Sequence, residues 1–173
     1  MDMVNIMKDK IKKFIKELIP YVIILVAVVL VRSFLVTPVI VSGDSMNPTL
    51  TNGELMILNK VAKIDRFDIV VVKLKKQGKS EDIIKRVIAL PGETIACENG
   101  VIYVNDKKQE ESYSVGRTED FAKITLGDDE YFVMGDNREN SSDSRLFGPF
   151  KKSDIKGQTR LVLFPFKKIG TVE

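Results

Sequence analysis

A chain of 173 residues, 44% of them apolar, is long enough for one folded domain plus a membrane anchor, and its formal net charge of +3 is too small to argue for a nucleic-acid partner. It contains no histidine, which excludes Ser-His-Asp and Cys-His catalysis and histidine ligation of a metal, and its single cysteine, Cys97, excludes an intrachain disulfide. A nucleophilic serine in this chain therefore needs a lysine, a carboxylate or a terminal amine as its base.

Lys8, Lys10, Lys12, Lys13 and Lys16 crowd the N-terminal residues against only Asp2, Asp9 and Glu17. Basic residues flanking an apolar span stay on the cytoplasmic side. The span follows at once: Leu18 to Val36 is apolar apart from Pro20, Tyr21, Arg32 and Ser33. As a helix rising about 1.5 Å per residue it can cross roughly 30 Å of hydrocarbon. Pro20 falls in the first turn, where its missing N–H costs little, and Arg32 is near the far end, where its stem can reach the headgroups. The Arg-Ser-Phe-Leu-Val-Thr-Pro that follows offers no small-residue cleavage site, so the span reads as an uncleaved anchor. This predicts a cytoplasmic segment over 1–17, a transmembrane helix over 18–36 and an extracytoplasmic domain over 37–173, in a single-pass protein of the cell membrane.

Gly43 to Leu50 (GDSMNPTL) is a loop by its turn chemistry: Gly43 permits close backbone approach, Pro48 fixes its own φ, and Asp44 and Asn47 can bond neighbouring amides. Ser45 within it is either a turn residue or a nucleophile held just outside the membrane. Beyond the loop, short β-type runs alternate with turns and no long helical period recurs. Strands are predicted over Glu54 to Leu58, Phe67 to Lys73, Ile83 to Leu90, Thr94 to Glu98, Val101 to Val104, Tyr131 to Met134 and Gln158 to Phe164. Asn99-Gly100 between the fourth and fifth is a strong hairpin signal. Cys97 reads as a small buried apolar residue of its strand. Asn105 to Asp120 is polar and charged and reads as a loop or extension. The fold class is mostly β, with coiled antiparallel sheets or a barrel-like domain after the helix.

Lys85 and Arg86 interrupt the apolar run from Ile83 to Ile88. Successive strand side chains face opposite sides, so the expectation is that one of the two faces the core and the other faces solvent or a partner. A lysine flanked on its own face by Ile83 and Val87 is desolvated, which lowers its pKa. At a pKa near 10.4 about 0.04% of the amine is neutral at pH 7, whereas near 8 it is about 10%, a change of roughly 3 kcal/mol that burial can supply. Gly135 to Pro149 (GDNRENSSDSRLFGP) then gathers Asp136, Arg138, Glu139, Asp143 and Arg145 among small residues. Read plainly it is a solvated loop with local ion pairs. Read functionally, Ser141 or Ser142 hydrogen-bonds the lysine, and Asp143 paired with Arg145 holds that serine in place.

Taken in order, the apolar span followed by SGDSMNPTL, then DRFDIVVVK, KRVIALPGE and GDNRENSSDSR with FGP, resembles the bacterial type I signal peptidases. These are membrane-bound serine endopeptidases that remove signal peptides from exported preproteins. The resemblance covers almost the whole chain, and the single anchor with a compact domain looks like the Gram-positive form. It implies Ser45 as nucleophile and Lys85 as general base, a hydrogen bond from Ser141 to the lysine, support from Asp143 and Arg145, and Asp136 and Arg138 as structural members of the same loop. The Ser45 backbone N–H is implied in the oxyanion hole. Some relatives add a serine hydroxyl two residues before the nucleophile, where this chain has Gly43, so a backbone amide of the Gly43 region is the expected second donor. Val41, Leu50 and Ile84 are expected to line shallow pockets for small substrate side chains, and Met46 to contact substrate and membrane surface. No metal, cofactor or nucleic acid is implied; the partners are signal peptides and the lipid bilayer.

Three other protein classes share part of this pattern. The self-cleaving repressors share Ser-Lys chemistry but are soluble, with a different N-terminal part. A sortase-type transpeptidase wants a reactive cysteine and a histidine. A membrane-anchored binding domain would leave Ser45 a turn residue and Lys85 a surface charge, with the two well beyond about 5 Å apart.

Overall fold

The computed structural model describes residues 3–76 and 78–172. The chain divides into two compact units, Met1–Val36 and Thr37–Glu173. The first is helix α1 (Met3–Phe34), in which Lys10–Phe34 is long and apolar enough to cross a membrane. Its large side chains, such as Ile23, Leu25 and Val28, are exposed. At about 1.5 Å per residue the 25 residues reach roughly 37 Å.

The second unit is mostly β, as its alternating pattern requires. The strands are β1 (Val36–Ile40), β2 (Leu55–Asn59), β3 (Ile69–Lys76), β4 (Lys79–Ala89), β5 (Thr94–Glu98), β6 (Val101–Val104), β7 (Lys107–Lys108), β8 (Phe121–Thr125), β9 (Glu130–Met134), β10 (Phe150–Lys151), β11 (Ile155–Phe164) and β12 (Gly170–Thr171). One sheet runs β1-β2-β11-β3-β4-β9-β10 with β12 added to β11; the other runs β7-β6-β5-β8. The pairings described are antiparallel. β5 and β6 are the hairpin expected at Asn99-Gly100, whose positive φ values of 53° and 79° match the twist of the flanking strands. β1, β8 and the two-residue strands lie outside the predicted runs. The two-residue strands are too short and β8 too polar to show a period, and Pro38 interrupts the signal of five-residue β1.

Two core clusters explain how β4 is buried. On one side Ile88 and Ala89 of β4 and Phe132 and Met134 of β9 pack with Ile95, Cys97 and Ile102 of the second sheet. On the other, Val87, Tyr131 and Val133 pack with Val70, Val72 and Phe150. Both faces of the β4–β9 pair are therefore covered, and a side chain on either face leaves water. This corrects the expectation that only one of Lys85 and Arg86 turns inward: Lys85 is 3% exposed and Arg86 0%. A third cluster of Val41, Met46, Leu50, Met56, Ile69 and Val162 lies beneath the loop that carries Ser45.

Candidate active site

Three chain segments converge because of strand order. The loop from Val41 to Glu54 joins β1 to β2, Lys85 is near the end of β4, and β9, the neighbour of β4, runs directly into Gly135 and the charged loop. The Ser45 loop is tied to the charged loop by its backbone: Asn137 N–H donates to Ser45 O at 3.0 Å, and the Asn137 side-chain amide donates to Asp44 O at 3.2 Å. Gly135 sits where these segments touch. A Cβ there would lie 2.5 Å from the Ser45 carbonyl oxygen and overlap the Ser141 hydroxyl. Only glycine permits that approach.

Lys85 Nζ donates to Ser45 Oγ at 2.7 Å and to Ile84 O at 2.9 Å. Burial pushes the amine down to about 8, against the pull of Asp143 and Asp136, which raise it. The hydroxyl and amine open onto a cleft of about 510 Å³ between Ile40–Met46 on one wall and Glu81–Lys85 on the other, closed near the site by Asn140 and Ser142. Val41, Met46 and Ile84 line it. Leu50, expected beside them, instead lies wholly in the core below, where the loop turns its apolar side chains inward. The Ser45 N–H has no hydrogen-bond acceptor among the described residues. The amide of Gly43 is engaged by Asn52 Oδ1 at 3.0 Å, so the expected second donor is committed to bracing the loop.

Behind the cleft the charged residues form a hydrogen-bonded support. Asp143 accepts from the Gly135 N–H at 2.9 Å, from Ser141 Oγ at 2.7 Å and from Arg145 through both oxygens, at 2.9 and 2.8 Å. Burial pushes its carboxyl up, but Arg145, the Gly135 amide and Ser141 outweigh that and hold it below the usual range. The Ser141 hydroxyl is thus given to Asp143, and among the described residues the amine's hydrogen bonds run to Ser45 and Ile84. Asp136, fully buried, accepts from Arg86 Nε at 2.9 Å and Nη2 at 2.8 Å, while Arg86 Nη1 donates to Phe67 O at 2.8 Å. Arg138 donates to both oxygens of Glu111 at 2.8 and 2.7 Å, to Thr118 Oγ1 and to Gly135 O.

The sequence reading missed the partners of these arginines. Glu111, Tyr113 and Thr118 come from the polar stretch read as a loop. Tyr113 lays its ring over Arg86, 4.1 Å from the guanidinium carbon, and burial pushes its phenol well above the usual range. Val115 exchanges backbone hydrogen bonds with the charged loop, from its N–H to Asp136 O and from Arg138 N–H to its carbonyl. Isolated charges in a hydrophilic segment carry no periodic signal, so these roles emerge only from the fold. Among the described residues no group of His, Cys, Asp or Glu side chains is placed to hold a metal ion.

A buried amine lowered to about 8, a hydroxyl within hydrogen-bond reach, an open N–H and the cleft they face are groups that acyl transfer can use. A family model described as signal peptidase, peptidase S26, matches residues 11–164. Signal peptidase I P of Bacillus subtilis subsp. natto is 43% identical over 178 residues, covering 94% of each chain. Signal peptidase I of Streptococcus pneumoniae serotype 4 is 34% identical over 201 residues, covering 92% of this chain and 98% of the other. The crystal structure of a signal peptidase I from Enterococcus faecalis V583 superposes with a TM-score of 0.50 at 32% identity, over 57% of this chain and 97% of that one. Matched over most of its length by the family model and by relatives of nearly its own extent, the chain belongs to the signal peptidase, peptidase S26, family.

Proposed function

We propose that this protein is a membrane-bound serine endopeptidase that cleaves signal peptides from exported preproteins, with Ser45 as nucleophile and Lys85 as general base. The observation that carries the proposal is the 2.7 Å hydrogen bond between Ser45 Oγ and an amine that burial holds at about 8. At pH 7 about one amine in ten is neutral and able to take the serine proton. The Ser45 oxygen then attacks the scissile carbonyl, and the Ser45 N–H stabilises the charge that develops on the carbonyl oxygen. Lys85 returns its proton to the leaving amine, and a water deprotonated by Lys85 releases the acyl group. Val41, Met46 and Ile84 give the cleft apolar walls suited to small side chains before the cut. Asp143, Arg145 and Ser141 hold the loop beside the amine, Asp136 anchors that loop to β4 through Arg86, and Arg138 ties it to Glu111 and Thr118. The basic N-terminal residues orient the anchor with its N-terminus in the cytoplasm and the catalytic domain on the outer face, where the cut site of an exported chain emerges.

The test is cleavage of a synthetic presequence by the purified full chain in detergent, with the cut located by mass spectrometry. Ser45→Ala and Lys85→Ala are expected to abolish the cut. In the unaltered enzyme kcat/KM should rise about tenfold per pH unit up to about 8 and level off above it, because protonation below that pH removes the base. Full activity in either variant, or a profile flat from pH 8 to 5, refutes the dyad.

A further inference from the structure

The loop that carries Ser45 is closed at its base by a clasp outside the Ser45–Lys85 pair and its support. Val41 N–H donates to Glu54 O at 2.8 Å and Gly53 N–H donates to Val41 O at 2.9 Å, so the two ends of the loop meet. Glu54 lies at that junction with only 2% of its surface exposed. Its Oε1 accepts from Thr51 Oγ1 at 2.7 Å and from Lys168 Nζ at 2.6 Å, and Lys168 also donates to Thr51 Oγ1 at 3.1 Å. Its Oε2 is buried with no hydrogen-bond partner among the described residues. Burial pushes the Glu54 carboxyl up, but the bonds from Lys168 and Thr51 outweigh it and keep it below the ordinary range.

Lys168 arrives from far away in the chain and is itself held. It ends the short turn Phe166–Lys168 after β11, where its N–H donates to Pro165 O at 2.8 Å. β12 then pairs back on β11, Thr171 against Leu161 and Gly170 against Val162, so the turn is anchored on both sides. The family match ends at Phe164, four residues before Lys168. The clasp thus joins the loop of the nucleophile to a segment beyond the matched region.

We infer that Lys168 and Glu54 are positioning residues for Ser45: their ion pair fixes the foot of the 41–54 loop and, through it, the reach of the serine hydroxyl to the Lys85 amine. This rests on the Ser45–Lys85 reading. A buried carboxylate with one bare oxygen is tolerated only while its cation stays, so removing the cation opens the foot of the loop rather than leaving the charge in place. Reacting atoms displaced by a fraction of an ångström lose rate more than affinity.

The experiment uses the full chain in detergent, a synthetic presequence and four variants: Lys168→Met, Lys168→Arg, Glu54→Gln and the Lys168→Met/Glu54→Gln pair. Lys168→Met is expected to lower kcat on the order of tenfold with KM changed less than about twofold. Lys168→Arg is expected to restore most of the loss. The double variant should be no slower than either single one, because each removes the same interaction. Amide exchange should quicken over residues 42–53 and stay unchanged in β4. A kcat unaffected by Lys168→Met overturns the inference, as do losses that simply add in the double variant or exchange that quickens uniformly. Ser45→Ala and Lys85→Ala run alongside. If they cut the peptide, the dyad reading falls and the inference with it; if they are inert and Lys168→Met is fully active, only the clasp falls.

Discussion

Replacing Lys85 by Met should make the protein inactive and more stable, by an amount that depends on pH. The amine is held at about 8 instead of 10.5 by burial, in a residue that is 3% exposed. A difference of about 2.5 units at 1.36 kcal/mol each is about 3 kcal/mol of stability that the charged lysine costs the fold. The sign follows from proton binding. Below pH 8 both folded and unfolded chains hold the proton and the full cost is present; between 8 and 10.5 only the unfolded chain holds it, so stability rises with pH; above 10.5 the cost is gone. Methionine fills a similar space without charge, so Lys85→Met should unfold about 6–12 °C higher at pH 7. That margin should shrink steadily from pH 8 to 10.5 to a residue set by packing alone. Thermal unfolding of the full chain in detergent, followed by circular dichroism because the chain has no tryptophan, measures it. A margin that is the same at pH 7 and pH 10.5, or a variant less stable at both, would show that the lysine is not buried as described.

Two further substitutions test the support. Gly135→Ala would drive a Cβ to 2.5 Å from the Ser45 carbonyl oxygen and into the Ser141 side chain, so kcat should fall by on the order of a hundredfold; a variant with more than half the normal turnover would refute the close approach. Glu111→Gln removes the carboxylate that takes both arms of buried Arg138, and should cost about 3 kcal/mol, read as a lower unfolding temperature. An unchanged unfolding temperature would mean the guanidinium finds another acceptor at no cost.

Much of the site was legible in local chemistry. The absence of histidine forces any serine nucleophile onto another base, and the apolar neighbours of Lys85 already predict a depressed amine. The hairpin at Asn99-Gly100 and the apolar span followed from turn geometry and from length, both of which act within a few residues. The pairing of Asp143 with Arg145 spans only two positions and was readable as well. The local reading failed at Arg86. Strand alternation says which face a residue takes but not whether that face is wet, and here the second sheet and Tyr113 cover the face that was expected to be open.

What the chain determines by itself is therefore what short-range forces control: which segments are apolar, where turns break them, and which residue types are available for chemistry. The tertiary structure decides which distant charges meet. Glu111 finds Arg138, Asp136 finds Arg86 and Lys168 finds Glu54 across long stretches of chain. In the Arg138–Glu111 and Arg86–Asp136 pairs both partners are desolvated at once, and in the Lys168–Glu54 pair the carboxylate is, which happens only when the fold has already brought them together.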